Sequence, residues 1–152
     1  METITLNVKR SDVYTEVDKT TDYTGAKLTG EDAGARDRIL ATEEDLKTLS
    51  RLWDETCTTA NERLKELFAG GSSPSAENYS VTLGVSVAYD KEQTPSVEAA
   101  LRGYFIMSTT GKWYALANKG EAGNYMEAAA GMMEEVRRRL YSRRKPRSPR
   151  SR

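Results

Sequence analysis

A chain of 152 residues is the size of one domain, with room for a core but little for a multi-step enzyme. Only 38% of its residues are hydrophobic and 30% are charged. Composition alone therefore favours a polar monomer over a protein that completes its burial against partners. There is no histidine and one cysteine, which excludes imidazole acid–base chemistry, Ser–His and Cys–His pairs, histidine-ligated metals and an intrachain disulfide.

No run of about 18 apolar residues is present, so no membrane span is expected. Met1-Glu2-Thr3-Ile4 has neither the basic start nor the apolar core of a secretory signal, and a reducing cytoplasm is the expected setting. Asn78-Tyr79-Ser80 matches the glycosylation triplet, and without an export signal it reads as chance. The zero net charge conceals an asymmetry. Residues 137–152 carry nine Arg or Lys and no acid, leaving a net of −9 on the rest of the chain. An acidic body with a cationic end suits ordered assembly or an anionic surface.

Ile4, Leu6 and Val8 alternate with Thr5 and Asn7, which predicts a short strand. Ser11 is placed to cap a helix over residues 12–24, with Asp12 in its first turn, Val13 and Val17 on one face and Gly25 as its stop. Residues 25–38, with Gly25, Gly30 and Gly34, read as a mobile loop. Thr42-Glu43-Glu44-Asp45 then gives a capping hydroxyl followed by three acids. Leu46, Leu49, Trp53, Cys57, Ala60, Leu64 and Leu67 recur at steps of three and four, predicting one long helix with a continuous stripe. Cys57 falls on that stripe and reads as a buried, inert thiol.

Residues 69–76 read as a linker from their Gly, Ser and Pro content. From Tyr79 to Tyr89 the odd positions are large and the even ones small or polar, predicting an eleven-residue strand. Such a strand needs a partner, either residues 3–8 or another subunit. Thr94 is expected to cap a helix with Pro95 in its first turn. Val97, Leu101, Phe105, Ser108 and Lys112 follow on one line, thickened by Tyr104, Ile106, Trp113 and Leu116. Asn118-Lys119-Gly120 marks a break before a last helix from about Glu121. That helix stacks Tyr125, Ala129, Met132, Met133, Val136 and Leu140, and Ala128, Ala129, Ala130 and Gly131 are expected to admit a close neighbour. Pro146 and Pro149 end regular structure, so residues 143–152 are expected to be a flexible basic tail on a body of residues 1–142. The predicted fold class is α+β and predominantly helical: a three- to four-helix bundle with a small antiparallel β element.

Signals for chemistry are weak. Gly70-Gly71-Ser72 and Gly111-Lys112 both lack the spacing of a phosphate loop, since Ile106 stands where the second needs glycine. Glu16-Val17-Asp18-Lys19 reads as a solvated helix face and not as a metal-dependent nuclease motif. No catalytic, metal or cofactor site is predicted. The candidate contacts to a partner or to DNA are Arg137, Arg138, Arg139, Arg143, Arg144, Lys145, Arg147, Arg150 and Arg152. For the first three, the helix dipole and the preceding Glu134 and Glu135 supply an equally good structural reading.

Asp22-Tyr23-Thr24-Gly25, Thr42-Glu43-Glu44-Asp45, Gly111-Lys112-Trp113-Tyr114 and the Arg-Arg-Arg-Leu-Tyr stretch ending in Arg-Lys-Pro, in this element order, resemble small structural proteins of tailed phages and prophages. A helical bundle carrying a β element is similar there to head–tail connector (adaptor) proteins. That resemblance implies a virion neck protein made in the host cytoplasm, with no membrane partner. It also implies a homo-oligomeric ring, commonly twelve-fold, between the portal and other neck or tail proteins, around a channel for DNA. Subunits of this kind are sometimes monomeric until they meet the portal. The alternative is a cytoplasmic accessory protein that binds nucleic-acid phosphate through the basic tail.

Overall fold

A computed structural model describes residues 2–28, 46–72, 77–117 and 119–143. In chain order these form strand β1 (Glu2–Lys9), helix α1 (Arg10–Leu28), helix α2 (Leu46–Leu64), a 3-10 turn (Lys65–Leu67), strand β2 (Phe68–Ser72) and strand β3 (Asn78–Val85). A second 3-10 turn (Lys91–Gln93) leads into helix α3 (Thr94–Ala117), followed by helix α4 (Lys119–Tyr141). The class is α+β and mostly helical, with one small antiparallel sheet.

The sheet has the order β1-β3-β2, so the late strand β3 is central and is paired antiparallel within the chain on both sides. The register sets Ile4 against Leu83, Leu6 against Val81 and Val8 against Tyr79, all buried on one face. Thr3, Thr5, Asn7 and Lys9 lie on the other face and are exposed. One apolar and one wet face is how an antiparallel sheet covers a helical layer.

β3 ends four residues before the expected Tyr89. A turn closes where the Tyr89 N–H donates to the Ser86 carbonyl at 2.9 Å, and Val87 is 65% exposed. Tyr89 is nonetheless buried, its hydroxyl 3.0 Å from Thr94 Oγ1, so the odd-position pattern outlasts the strand that produces it. The expected linker also needs correction, because residues 68–72 pair with β3. Backbone bonds hold this strand, and a bulge between Phe68 and Gly71 absorbs its glycines.

Several helix ends differ from expectation. α1 begins at Arg10, so Ser11 lies inside it, and it runs past Gly25 to Leu28. Glycine weakens a helix by under about 1 kcal/mol and stops it only by adopting a left-handed conformation. The rest of the expected loop, residues 29–38, and the expected cap at Thr42 with Glu43, Glu44 and Asp45 lie outside the described residues. Thr94 has helical dihedrals (φ −54°, ψ −42°) and so lies within the helix, and the 3-10 turn before it is capped by the carboxylate of Asp90, which accepts from the Glu92 N–H at 3.0 Å. Between α3 and α4, Asn118 is not among the described residues, and α4 begins at Lys119, two residues ahead of Glu121.

α3 is the central helix, packed against α1, α2, α4 and β1. Phe105 lies with ring centroids 5.0 Å from both Trp53 of α2 and Tyr79 of β3, and Tyr104 meets it edge-on at 5.8 Å. Leu49, Trp53, Cys57, Ala60 and Leu64 are buried as the stripe on α2 predicts, and Leu67 is half-buried in the 3-10 turn. Leu116 departs from the pattern at 60% exposed.

α3 and α4 form an antiparallel hairpin whose close approach is made by glycines of α3. A Cβ on Gly111 would lie 2.7 Å from Met126 Sδ and 3.2 Å from the Met126 backbone nitrogen. One on Gly103 would meet Met132 Sδ at 3.2 Å. The small run on α4 expected to do this is mostly on the surface. Ala129 is buried, but Ala128, Ala130 and Gly131 are exposed, and a Cβ on Gly131 meets nothing within 4 Å.

Trp53 is fully buried, so Trp53→Ala is expected to cost about 3–5 kcal/mol. A loss below about 1 kcal/mol in a denaturant titration would remove Trp53 from the core. The two glycine classes should also separate. Gly111→Ala should destabilise by about 1–3 kcal/mol because the clash includes backbone. Gly131→Ala should stabilise by up to about 1 kcal/mol through helix propensity. Equal effects in thermal melts would contradict this account of the hairpin.

Candidate interaction site at the basic end of the last helix

The end of α4 gathers the described members of the cationic set, and its geometry follows from sequence spacing. Glu135 lies three and four residues before Arg138 and Arg139, on the same helix face. Its Oε2 accepts from Arg138 Nε at 3.2 Å, and its Oε1 accepts from Arg139 Nε at 2.6 Å. These bonds, Arg138 first, hold the Glu135 carboxyl below the usual carboxylate range, and the same contact pushes Arg138 upward. Arg137 turns inward, where its Nη1 donates to the Arg63 carbonyl near the end of α2 at 2.6 Å. Arg63 in turn lies 3.6 Å from Glu134. All three arginines of the helix end therefore have partners within the chain.

The exit of the chain from α4 is fixed by a group the sequence did not advertise. Gln93 Nε2 donates to the Arg139 carbonyl at 3.2 Å and to Ser142 Oγ at 2.7 Å. Ser142 closes on the same carbonyl through its N–H at 3.2 Å and its hydroxyl at 2.9 Å. These bonds satisfy a carbonyl that the helix leaves without an internal donor. Arg143 follows and is exposed. Arg144, Lys145, Arg147, Arg150 and Arg152 lie outside the described residues.

The residues just before Gln93 line an open cleft of about 460 Å³ together with Glu2 and Val87: Tyr89, Asp90, Lys91 and Glu92. Lys91 pairs with Glu2 at 3.3 Å, and the cleft keeps an acidic excess.

Elsewhere, Cys57 is buried, and its thiol is pushed up to about 12 by burial, with Asp54 adding to the shift. A thiolate is the reactive form, so this cysteine is chemically quiet at neutral pH. Lys112 is half-buried between α2 and α3, 3.8 Å from Glu55 and 3.4 Å from Thr56 Oγ1, and burial lowers its pKa. Glu16, Asp18 and Lys19 are exposed on α1, with Lys19 and Glu16 3.4 Å apart. Among the described residues no three His, Cys, Asp or Glu side chains cluster as a metal site, and no helix is long and apolar enough to cross a membrane. No protein-family model, curated protein or solved structure matches the chain.

The Glu135 contacts give a pH signature. A carboxyl whose folded pKa is depressed contributes stability above its unfolded pKa and loses it as the pH falls through the folded value. Wild type should therefore exceed Glu135→Gln in stability at about pH 7, and the gap should shrink towards about pH 3. A gap that does not change with pH in denaturant titrations would show that these bonds carry no charge-dependent stability.

Proposed function

We propose that this chain is a structural subunit of a tailed-phage neck, a head–tail connector that assembles as a ring between the portal and the tail. The observation that carries the reading is a helix end held by Gln93 and Ser142, after which the sequence continues with six cations from Arg143 to Arg152 behind a body, residues 1–142, of net charge −6. In a ring, each copy would present the same cationic segment to the acidic body of a neighbouring protein or to the DNA in the channel. The helical bundle with its small sheet fits the resemblance noted in the sequence. Charge at such a contact selects partners and speeds their encounter more than it adds affinity.

Arg137, Arg138 and Arg139 shape the end of the helix in this reading, and Arg143 with the cations after it meet the partner. Deleting residues 143–152 should leave the melting temperature nearly unchanged and block incorporation when the chain is co-expressed with the portal and neck proteins of its own genome. Normal incorporation without these residues would sink the proposal. The exposed Arg143 also suits the second reading, an accessory protein on nucleic-acid phosphate. That reading requires the isolated protein to bind DNA with a log–log salt slope of about −0.9 per phosphate contacted.

A further inference from the structure

Among the described residues, β1 is an outer strand of the sheet. In a regular antiparallel ladder, alternate residues point their main-chain groups at the neighbouring strand and the others point away. Asn7 shows which set is which. Its N–H is donated at 3.1 Å to Oε2 of Glu98 on α3, so Asn7 faces away from β3, and by the two-residue repeat so do Thr3, Thr5 and Lys9. The Thr5 and Thr82 hydroxyls, 3.1 Å apart, agree with this parity, because side chains approach most closely at pairs that do not exchange backbone bonds. The ladder of β1 is unbroken over eight residues, whereas β2 has five and a bulge. A long regular edge is the kind that accepts another strand, and a bulged one resists it.

We propose that the β1 edge is a strand-pairing surface for β1 of a second copy of this chain, and that Glu98 holds it shut in the free subunit. The Glu98 carboxylate stands where the carbonyl of an incoming strand would accept from Asn7, so pairing requires it to leave. The occupant follows from the pattern of the strand itself. With Thr5 opposite Thr5 of the second copy, Thr3 faces Asn7 and Ile4 faces Leu6. Polar then meets polar on the wet face, and above the helices Ile4 meets Leu6 twice at the centre, with Glu2 against Val8 at the two ends. The contact is two-fold and self-complementary, and it needs no other protein. It does not depend on the neck assignment.

The test compares oligomeric state by light scattering over a range of concentrations. Wild type should be monomeric. Glu98→Ala should dimerise with an apparent Kd lower by about tenfold or more, the scale of one hydrogen bond to a charged group. Glu98→Gln keeps a side-chain carbonyl and should behave as wild type. Thr5→Pro added to Glu98→Ala should restore the monomer, because the Thr5 N–H points away from β3 and its loss breaks no ladder bond to β3. Circular dichroism checks that each variant folds, and Glu98→Ser stands in if the alanine variant does not. Dimerisation that survives Thr5→Pro would place the contact elsewhere. A folded Glu98→Ala that stays monomeric while its Asn7 amide exchanges faster would show that the edge does not pair. Either result overturns the proposal.

Discussion

Phe105 is the side chain around which the two layers of the fold are arranged. It is fully buried and touches an aromatic ring from α2 and another from β3, so one residue fixes a helix–helix and a helix–sheet distance together. Tilted ring pairs add about 0.5–1.5 kcal/mol each beyond the area they bury. Bulk on this side of α3 constrains the opposite side. Gly103 and Gly111 lie roughly half a turn around the helix from Phe105, and there α4 comes too close for an added methyl group to fit without movement. The central helix is held by large rings on one flank and by the absence of side chains on the other.

The sequence reveals those parts of the fold that depend on a period and conceals those that depend on a partner. The stripe from Leu49 to Leu64 and the alternation of Tyr79, Val81, Leu83 and Val85 report burial directly, because one face of each element is wet. β2 is different. Ala69-Gly70-Gly71-Ser72 has linker composition and belongs to a strand because β3 offers residues 68–72 backbone bonds. Tyr89 misleads in the opposite direction, continuing the alternation after the strand has ended because a turn returns it to the core. The same distinction accounts for the helix contacts. A run of small residues at Ala128–Gly131 reads as an approach surface, but approach depends on which face the neighbour occupies, and no local pattern encodes that.

At the candidate site, the i to i+3 and i to i+4 pairs of Glu135 with the arginines follow from spacing alone. The contact of Arg137 with the Arg63 carbonyl and the bonds from Gln93 do not. They join positions distant in sequence, and glutamine ahead of a helix carries no periodic or compositional signal. Each exposed ion pair here is worth little by itself, since surface pairs contribute about 0–1 kcal/mol. Their value is directional: they turn a cluster of cations into a helix end of fixed shape.

The segment from Asp90 to Glu98 connects these features. Lys91 pairs with Glu2 at the start of β1, and Glu98 takes the Asn7 N–H further along the same strand. Gln93 holds the last turn of α4, and Thr94 meets the Tyr89 hydroxyl. The first strand and the last helix are therefore tied to one short stretch at the start of the central helix. Contacts made through side-chain tips at the surface are individually weak, so this stretch positions both ends by their number and by the rigidity of α3 behind it. α3 is rigid there because Val97 and Leu101 are fully buried two turns and one turn before Phe105. The aromatic junction in the core thus sets where Gln93 and Glu98 stand, and with them the last turn of α4 and the bond to the Asn7 N–H on β1.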